Sequence, residues 1–382
     1  MMLAVIIPTR NRADLAIASV RSVLGSKDSN ELRILVSDNS TNEEESARLH
    51  EFVSELGGRV HLVRPATSLG MTAHWNFAIE HAMNWRECSH FTILTDRMLY
   101  KNGGLEVILA ACERWPADVI SFTYDRIQDY DSPITYRPLP RSFETFRIPS
   151  SDLLAMSSRM SIPSCLPRML NCVSPREHLE RLKSVHGKVF RSIAPDYNFC
   201  YSTLISMPSI VYLDRSLLVN HAQGRSNGAS FARGVMSTDS KDFMATSVDG
   251  GFNHHSPIPA VHTVGNAVMH EYMVAKLGVG GEAVPAIQKD RYLEFLAEEA
   301  RAFVDPMQAN SAIELLRANG WRPTWKSFLG RIRAWIEVRV LGLRQKTFND
   351  REQAIAYAIS DVTQGWRWFP HPVGRYGQRI DR

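Results

Sequence analysis

No run of apolar residues in this chain approaches the roughly 18 that a membrane-spanning helix needs, so the sequence predicts no span. Cysteine is scarce too: there are five in 382 residues, irregularly spaced and without a CxxC pair. Such usage is untypical of disulfide frameworks and of structural zinc sites. We therefore expect reduced thiols in a cytoplasmic protein.

Two common nucleotide-binding motifs are missing. No GxGxxG follows the first predicted strand, and GxxxxGK[ST] occurs nowhere, which argues against a dinucleotide enzyme and a P-loop NTPase. No strong charge of either sign is present, since 44 Lys+Arg face 40 Asp+Glu. This balance indicates no nucleic-acid partner.

What the first third of the chain does contain is a regular alternation of short apolar runs and amphipathic helical patterns. The predicted strands are 3–8, 32–36, 60–63, 91–94 and 118–122, and the predicted helices are 14–24, one opening at 41, 74–85 and 105–114. Strands and helices alternating at this spacing predict an α/β fold with a doubly wound, mostly parallel sheet.

The pattern changes further along the chain. A Pro- and Ser-rich stretch at 132–151 predicts a long loop, the following residues to about 231 are weakly patterned, and helical periodicity returns from 235. We therefore divide the chain into segments 1–125, 126–234 and 235–382, the last a helical C-terminal extension.

Polar residues cluster where the predicted strands end, at 8–12, 37–40, 64–70 and 95–97. Each cluster alone is typical of a turn or a helix cap. Ligands of open α/β sheets bind outside the carboxyl ends of the strands, so the four clusters together predict one binding site.

In this order the motifs resemble glycosyltransferase family 2, which comprises nucleotide-sugar transferases of the GT-A fold. The matching text is VIIPTRNR at 5–12, SVRSVL at 19–24, ILVSDNS at 34–40, GMTAHWNFA at 70–78 and ILTD at 93–96. The resemblance is specific to about residue 105 and looser to about 231. It implies that 1–125 binds the nucleotide sugar and 126–234 the acceptor.

The resemblance also implies roles for individual residues. Those expected to hold the nucleotide sugar are Pro8, Thr9, Asn11, Arg12, Asp38, Arg64 and Asp96. Asp38 would accept a hydrogen bond from the base, and Arg64 would close over the nucleotide with the 68–70 loop. The donor is a nucleoside-diphosphate sugar, with a UDP-sugar the expected class, and the acceptor is a carbohydrate or lipid-linked hydroxyl.

The fourth strand end departs from the Asp-x-Asp element of that family. Asp96 matches its first carboxylate, but Arg97 and Met98 occupy positions that are often acidic. Mg²⁺ and Mn²⁺ need hard oxygen ligands, so a divalent metal is doubtful and no cofactor is predicted with certainty. We hypothesise that Arg97 pairs with the diphosphate in place of a metal. In one alternative the protein only binds its ligand; in another Arg97 faces solvent and Asp96 caps a helix.

The resemblance places a catalytic base on the acceptor side, and Asp196 suits it in order and spacing. In an inverting transfer this carboxylate would remove the proton of the acceptor hydroxyl; its alternative role is to cap a helix over 197–204. His221 and Arg225, in a polar loop at 220–231, are expected at the leaving phosphates unless the loop is an ordinary surface turn. His254, His255 and His262 fit no standard metal spacing and are expected at the surface.

The sequence thus predicts an inverting, hexosyltransferase-like glycosyltransferase, possible without a metal, in polysaccharide synthesis. The alternative is a catalytically silent nucleotide-sugar-binding or scaffold protein of an assembly complex. The segment 325–346 combines an apolar stripe with basic residues. Such a helix lies peripherally at the inner face of a membrane or packs on the protein body, and the sequence leaves both open.

Overall fold

The structure, a computed structural model, describes residues 1–27, 29–139, 141–247, 254–323, 345–361 and 376–380. The strands of these ranges are β1 (Leu3–Thr9), β2 (Leu32–Asp38), β3 (Val60–Val63), β4 (His90–Ile93), β5 (Met98–Tyr100), β6 (Ile120–Gln128), β7 (Ile134–Arg137), β8 (Thr145–Pro149), β9 (Cys172–Pro175), β10 (Ser209–Asn220), β11 (Lys346–Phe348) and β12 (Gln378–Arg379). The helices are α1 (Ala13–Leu24), α2 (Glu43–Glu55), α3 (Met71–Met83), α4 (Gly104–Arg114), α5 (Ser150–Ser158), α6 (Arg176–His186), α7 (Pro195–Ser206), α8 (Asn227–Arg233), α9 (Thr238–Ser247), α10 (Val264–Ala275), α11 (Lys289–Arg301), α12 (Pro306–Ala318) and α13 (Arg351–Ser360).

One mixed sheet organises the described residues. Its main path runs β12-β8-β10-β6-β9-β4-β1-β2-β3. The strands β4, β1, β2 and β3 are parallel neighbours, as the sequence predicts, while β9 pairs antiparallel with both β4 and β6. The α/β class with helices in its C-terminal part is therefore confirmed.

Side-chain alternation along β1 explains why helices cover both faces of the sheet. Leu3, Val5 and Ile7 belong to a core cluster shared with α1 and α4, whereas Ala4 and Ile6 belong to a second cluster shared with α3, α7 and α10. Successive residues of a strand point to opposite faces. An uninterrupted apolar strand must therefore be covered on both sides.

The long loop predicted at 132–151 is wrong. That segment holds β7, which pairs with β6 and β11, and β8, which pairs with β10 and β12. Both strands are short and flanked by Pro and Ser, so their local pattern is weak. β7 pairs with the neighbouring β6, but β11, β10 and β12 come from distant parts of the chain, and those contacts help to determine the structure.

The C-terminal helices pack on the body of the molecule. Buried Tyr272 of α10 meets Tyr201 of α7 edge to face at 5.1 Å, and α13 covers Tyr136 of β7. The boundaries of the three segments stay a prediction. Within the described ranges, no helix combines the length and apolar character that crossing a membrane requires. The predicted helix at 325–346 lies, except for its last two residues, outside those ranges.

Candidate functional site

A cleft of about 1130 Å³ lies at the carboxyl ends of β1 and β4. We call the loops that follow these strands its floor, and β6 with the start of α7, and α8 with α9, form its walls. Of the residues predicted for the site, the cleft is lined by Pro8, Thr9, Asn11, Arg12, Asp96, Arg97, Asp196 and Arg225.

Thr9 and Asp96 form the centre of the floor. Thr9 ends β1, and its hydroxyl donates to Asp96 Oδ2 at 3.0 Å. The guanidinium of Arg12 reaches the other oxygen, Oδ1, at 3.3 Å. The alternative in which Asp96 caps a helix is wrong, because the residues that follow form the strand β5.

Asn11 holds two strand-end loops together. Its backbone is left-handed, with φ of 54°, a conformation that asparagine tolerates better than most residues. Its side-chain oxygen accepts from the backbone N–H groups of Thr41 and Asn42, each at 2.9 Å. The loop after β1 is thereby fixed to the loop after β2.

Two carboxylates of α9 reach across the cleft to this floor. Asp239 lies 3.2 Å from Arg12, and Asp242 lies 2.7 Å from Arg10. Asp239 also faces Arg225 at 3.7 Å. Burial lowers the pKa of the Arg12 guanidinium, but Asp96 and Asp239 outweigh it and raise that pKa above its ordinary value.

Arg97 lies on the cleft wall and is partly buried, so the alternative in which it faces solvent is wrong. Its Nη1 donates to Asn220 Oδ1 at 3.4 Å, and its buried Nε has no hydrogen-bond partner among the residues that the structure describes. Burial lowers the pKa of this guanidinium below its ordinary value. The side chain is therefore available to an anion in the cleft.

The donor set around Asp96 is a poor match to a divalent cation. Met98 is fully buried, and Arg97 offers only N–H donors. Among the described residues, no group of three or more His, Cys, Asp or Glu side chains is arranged to hold a metal ion. His254, His255 and His262 are exposed, as predicted.

Asp196 lines the same cleft as Asp96 and lies in the first turn of α7. The helix begins at Pro195, one residue before Asp196, and Ala194 is its cap residue, so the capping role predicted for Asp196 is wrong. Burial raises the pKa of Asp196 above its ordinary value, although the nearby Arg168 opposes this. A carboxylate with a raised pKa is a stronger base once ionised.

Glu271 of α10 holds the turn that carries Asp196. Its two oxygens accept from the backbone N–H of Ala194 at 2.7 Å and from Asn198 Nδ2 at 3.0 Å. Burial raises the pKa of Glu271 to about 8. Sequence analysis missed this residue, which lies 75 positions after Asp196 on an apolar helix.

Three predicted site residues are not on the wall of the cleft. Asp38 is buried and accepts from Ser40 N at 2.9 Å and Ser46 Oγ at 2.5 Å. Arg64 is exposed and pairs with Glu43 at 2.7 Å.

His221 is the third of these, and it lies behind Arg97. Its backbone N–H donates to the Arg97 carbonyl at 3.0 Å, and its Nδ1 accepts from Arg351 at 2.8 Å. Burial lowers the pKa of His221 to about 3, so the ring is neutral and supports the loop of Arg97 rather than meeting phosphate directly.

The wall formed by β6 carries residues that sequence analysis missed. Tyr124 and Arg126 are two positions apart on one face of β6, and both line the cleft with Arg168 and Tyr197. Side chains at i and i+2 of a strand share a face. Extending the strand predicted at 118–122 by a few residues would have found the first two.

Comparisons with known proteins agree with the sequence motifs. Residues 4–165 match the family model described as Glycosyl transferase family 2. No curated protein sequence matches the chain.

Solved structures similar to this chain include those of S. aureus TarS. TarS 1–349 in complex with UDP-GlcNAc has a TM-score of 0.46 and 13% identity, with 83% of this chain and 88% of that chain covered. TarS 1–349 in complex with UDP has a TM-score of 0.44 and 12% identity, covering 83% and 89%. A longer TarS structure has a TM-score of 0.44 and 13% identity, covering 84% and 53%.

The resemblance carried by the strand-end motifs is confirmed, and the matched segment contains Thr9, Arg12 and Asp96, the residues at the centre of the cleft floor. Over residues 4–165, this chain is similar to glycosyl transferase family 2.

Proposed function

We propose that the protein transfers a sugar from a nucleoside-diphosphate donor, of which UDP-sugars are the first class to test, to a hydroxyl of a carbohydrate or lipid-linked acceptor. The observation that supports this most strongly is the shared cleft. It joins a polar floor of Thr9, Arg12 and Asp96 to an ionisable carboxylate, Asp196, on one wall.

The donor occupies the floor. Asp96 offers carboxylate oxygens to the ribose hydroxyls in competition with Thr9 and Arg12. The diphosphate meets Arg97, whose planar guanidinium can donate to two phosphate oxygens at once and whose Nε has no partner among the described residues. Pairing the charge of Arg97 with the diphosphate also removes the cost of burying an unpaired guanidinium.

Transfer is a single displacement with inversion. Asp196 accepts the proton of the acceptor hydroxyl as that oxygen forms its bond to the anomeric carbon. The bond from this carbon to the diphosphate breaks, and the electron pair leaves with the nucleoside diphosphate. Arg97 stabilises the charge that develops on the leaving group. Since the residues near Asp96 do not fit a divalent metal, no step is assigned to one.

A second candidate function is binding without turnover, as a scaffold of an assembly complex. It is favoured by one observation: both oxygens of Asp96 are already engaged by Thr9 and Arg12, and the next two residues supply no further carboxylate.

One experiment separates the two functions. UDP-, GDP- and dTDP-sugars are screened for thermal stabilisation of the protein, because a ligand that binds only the folded state raises its apparent stability. The ligands that bind are then assayed for nucleoside diphosphate release with and without acceptor. Binding with release supports the transferase. Binding without release or transfer across the panel supports the silent protein.

We place the reaction in surface polysaccharide synthesis, at the cytoplasmic face of the cell membrane, with the 325–346 segment as the membrane contact. Co-sedimentation with anionic liposomes tests this location. A variant lacking 325–346 should lose binding, and equal sedimentation of both proteins would contradict it.

A further inference from the structure

Three arginines follow one another along the cleft from Asp96 towards Asp196. Arg97 donates to Asn220, and Asn220 of β10 is the register partner of Arg126 on β6. Arg126 and Arg168 then meet at one atom, the hydroxyl oxygen of Tyr124, at 3.5 and 3.1 Å. We call Arg97, Arg126 and Arg168 the arginine row.

No member of the arginine row forms an ion pair with a described carboxylate, although Asp196 lies near enough to Arg168 to raise the pKa of its guanidinium. Among the described residues, no carboxylate oxygen lies within the 4.0 Å of an ion pair from any of the three. Arg141, in contrast, pairs with Asp125 at 3.0 Å and Asp361 at 3.5 Å. A guanidinium without a carboxylate partner has N–H donors that an anionic ligand can pair with.

The surroundings of Tyr124 show how strongly this part of the cleft favours negative charge. Burial raises the pKa of Tyr124, but Arg168 and Arg126 outweigh it and lower that pKa to about 7. The phenolic oxygen is the nearest group to both guanidiniums that can become an anion. An anionic ligand group would meet the same pair of donors.

A donor diphosphate bound at the cleft floor would pair only with Arg97, at one end of the arginine row. Arg97 follows Asp96 in the chain and lies at the donor floor. Arg168 lies at the other end, where it donates to Tyr197 at 3.3 Å and lowers the pKa of Asp196 against the effect of burial. The base must lie beside the acceptor hydroxyl. Arg126 and Arg168 are therefore on the acceptor side.

We propose that Arg126 and Arg168 bind an anionic group of the acceptor, a phosphate or a carboxylate close to its reactive hydroxyl. The assignment to the acceptor rests on the proposed function; the geometry of the two guanidiniums does not. Arg126 is the residue to change, because it is exposed and, within the described part of the chain, its side chain makes one hydrogen bond, the long contact to Tyr124.

The test compares glucose 6-phosphate, glucuronic acid and glucose as probes. Binding is measured by ligand-observed NMR, with and without UDP, GDP or dTDP, on the wild type, Arg126→Gln, Arg126→Lys and Arg59→Gln. The last variant removes the same charge from an exposed side chain before β3, at the opposite edge of the sheet. We expect one or both anionic sugars to bind about tenfold more tightly than glucose. Arg126→Gln should abolish this preference, Arg126→Lys should keep part of it, and Arg59→Gln should keep all of it.

Which anionic sugar binds identifies phosphate or carboxylate as the natural group. The proposal is overturned if glucose binds as well as both anionic sugars, if no probe binds, or if Arg126→Gln keeps the preference. It is also overturned if Arg126→Gln loses the thermal shift produced by the nucleoside diphosphate, since Arg126 would then serve the donor. A wild type that shows no shift with any nucleotide contradicts the proposed function alone, and the sugar preference is still measured on the free protein.

Discussion

The guanidinium of Arg12 lies between two carboxylates that are 143 positions apart in the chain, Asp96 at 3.3 Å and Asp239 at 3.2 Å. Asp96 belongs to the cleft floor and Asp239 to α9. Through Asp239, the C-terminal part of the chain neutralises an arginine of the proposed donor site. An incoming diphosphate therefore competes with a carboxylate of the protein itself.

Replacing Asp239 with Asn should tighten nucleoside diphosphate binding about three- to tenfold, because Arg12 and Arg225 lose their competing partner. Isothermal titration calorimetry measures the change. Asp290→Asn, at an exposed position in the first turn of α11, is the matched control and should leave the affinity unchanged. Weaker binding in Asp239→Asn would show that α9 supports the ligand rather than competing with it.

Glu271 should make the stability of the fold depend on pH. Its folded-state pKa of about 8 lies above the unfolded value. The contribution is therefore fully present below the unfolded pKa near ~4.3 and lost as the pH rises through about 8. Urea unfolding of the wild type should show a decline in free energy between these limits, and Glu271→Gln should flatten that decline. An unchanged slope would mean that another group dominates it.

Arg97 should supply the positive charge that a metal ion supplies in related enzymes. We expect turnover to survive EDTA. Arg97→Gln should lower kcat about 100-fold, and Arg97→Lys, which keeps the charge but loses the planar fork, should lower it less. A steep dependence of turnover on added Mn²⁺, with little effect of Arg97→Gln, would refute this assignment.

The sequence predicts the fold well where the signal is local. β1 is apolar from Leu3 to Pro8, and the motif VIIPTRNR at 5–12 places Thr9 and Arg12 at its carboxyl end, where the structure has them. By contrast, β7 and β8 are short, and their partners β11, β10 and β12 lie far away in the chain, so no local pattern marks them.

The site was predicted in part, and for the same physical reason. Asp96 and Asp196 lie in motifs that can be recognised from the sequence alone. Asp38 also ends a strand that the sequence predicts. Its carboxylate, however, accepts a hydrogen bond from Ser46 of α2, and this contact depends on how α2 packs against the strand. Arg168 and Asp239 are brought to the cleft by tertiary packing, and no motif in the surrounding sequence predicts that position.

In the proposed mechanism, transfer depends on Asp196, so Asp196→Asn is the most direct measurement. We expect kcat to fall at least ~100-fold, while the thermal shift produced by the nucleotide sugar stays within error of the wild type. Asp152→Asn, in the first turn of α5, is the matched control and should retain full activity. In the wild type, the rate should fall as the pH drops through a value above the ordinary aspartate pKa, because burial raises that of Asp196. Full turnover in Asp196→Asn would contradict the proposed mechanism.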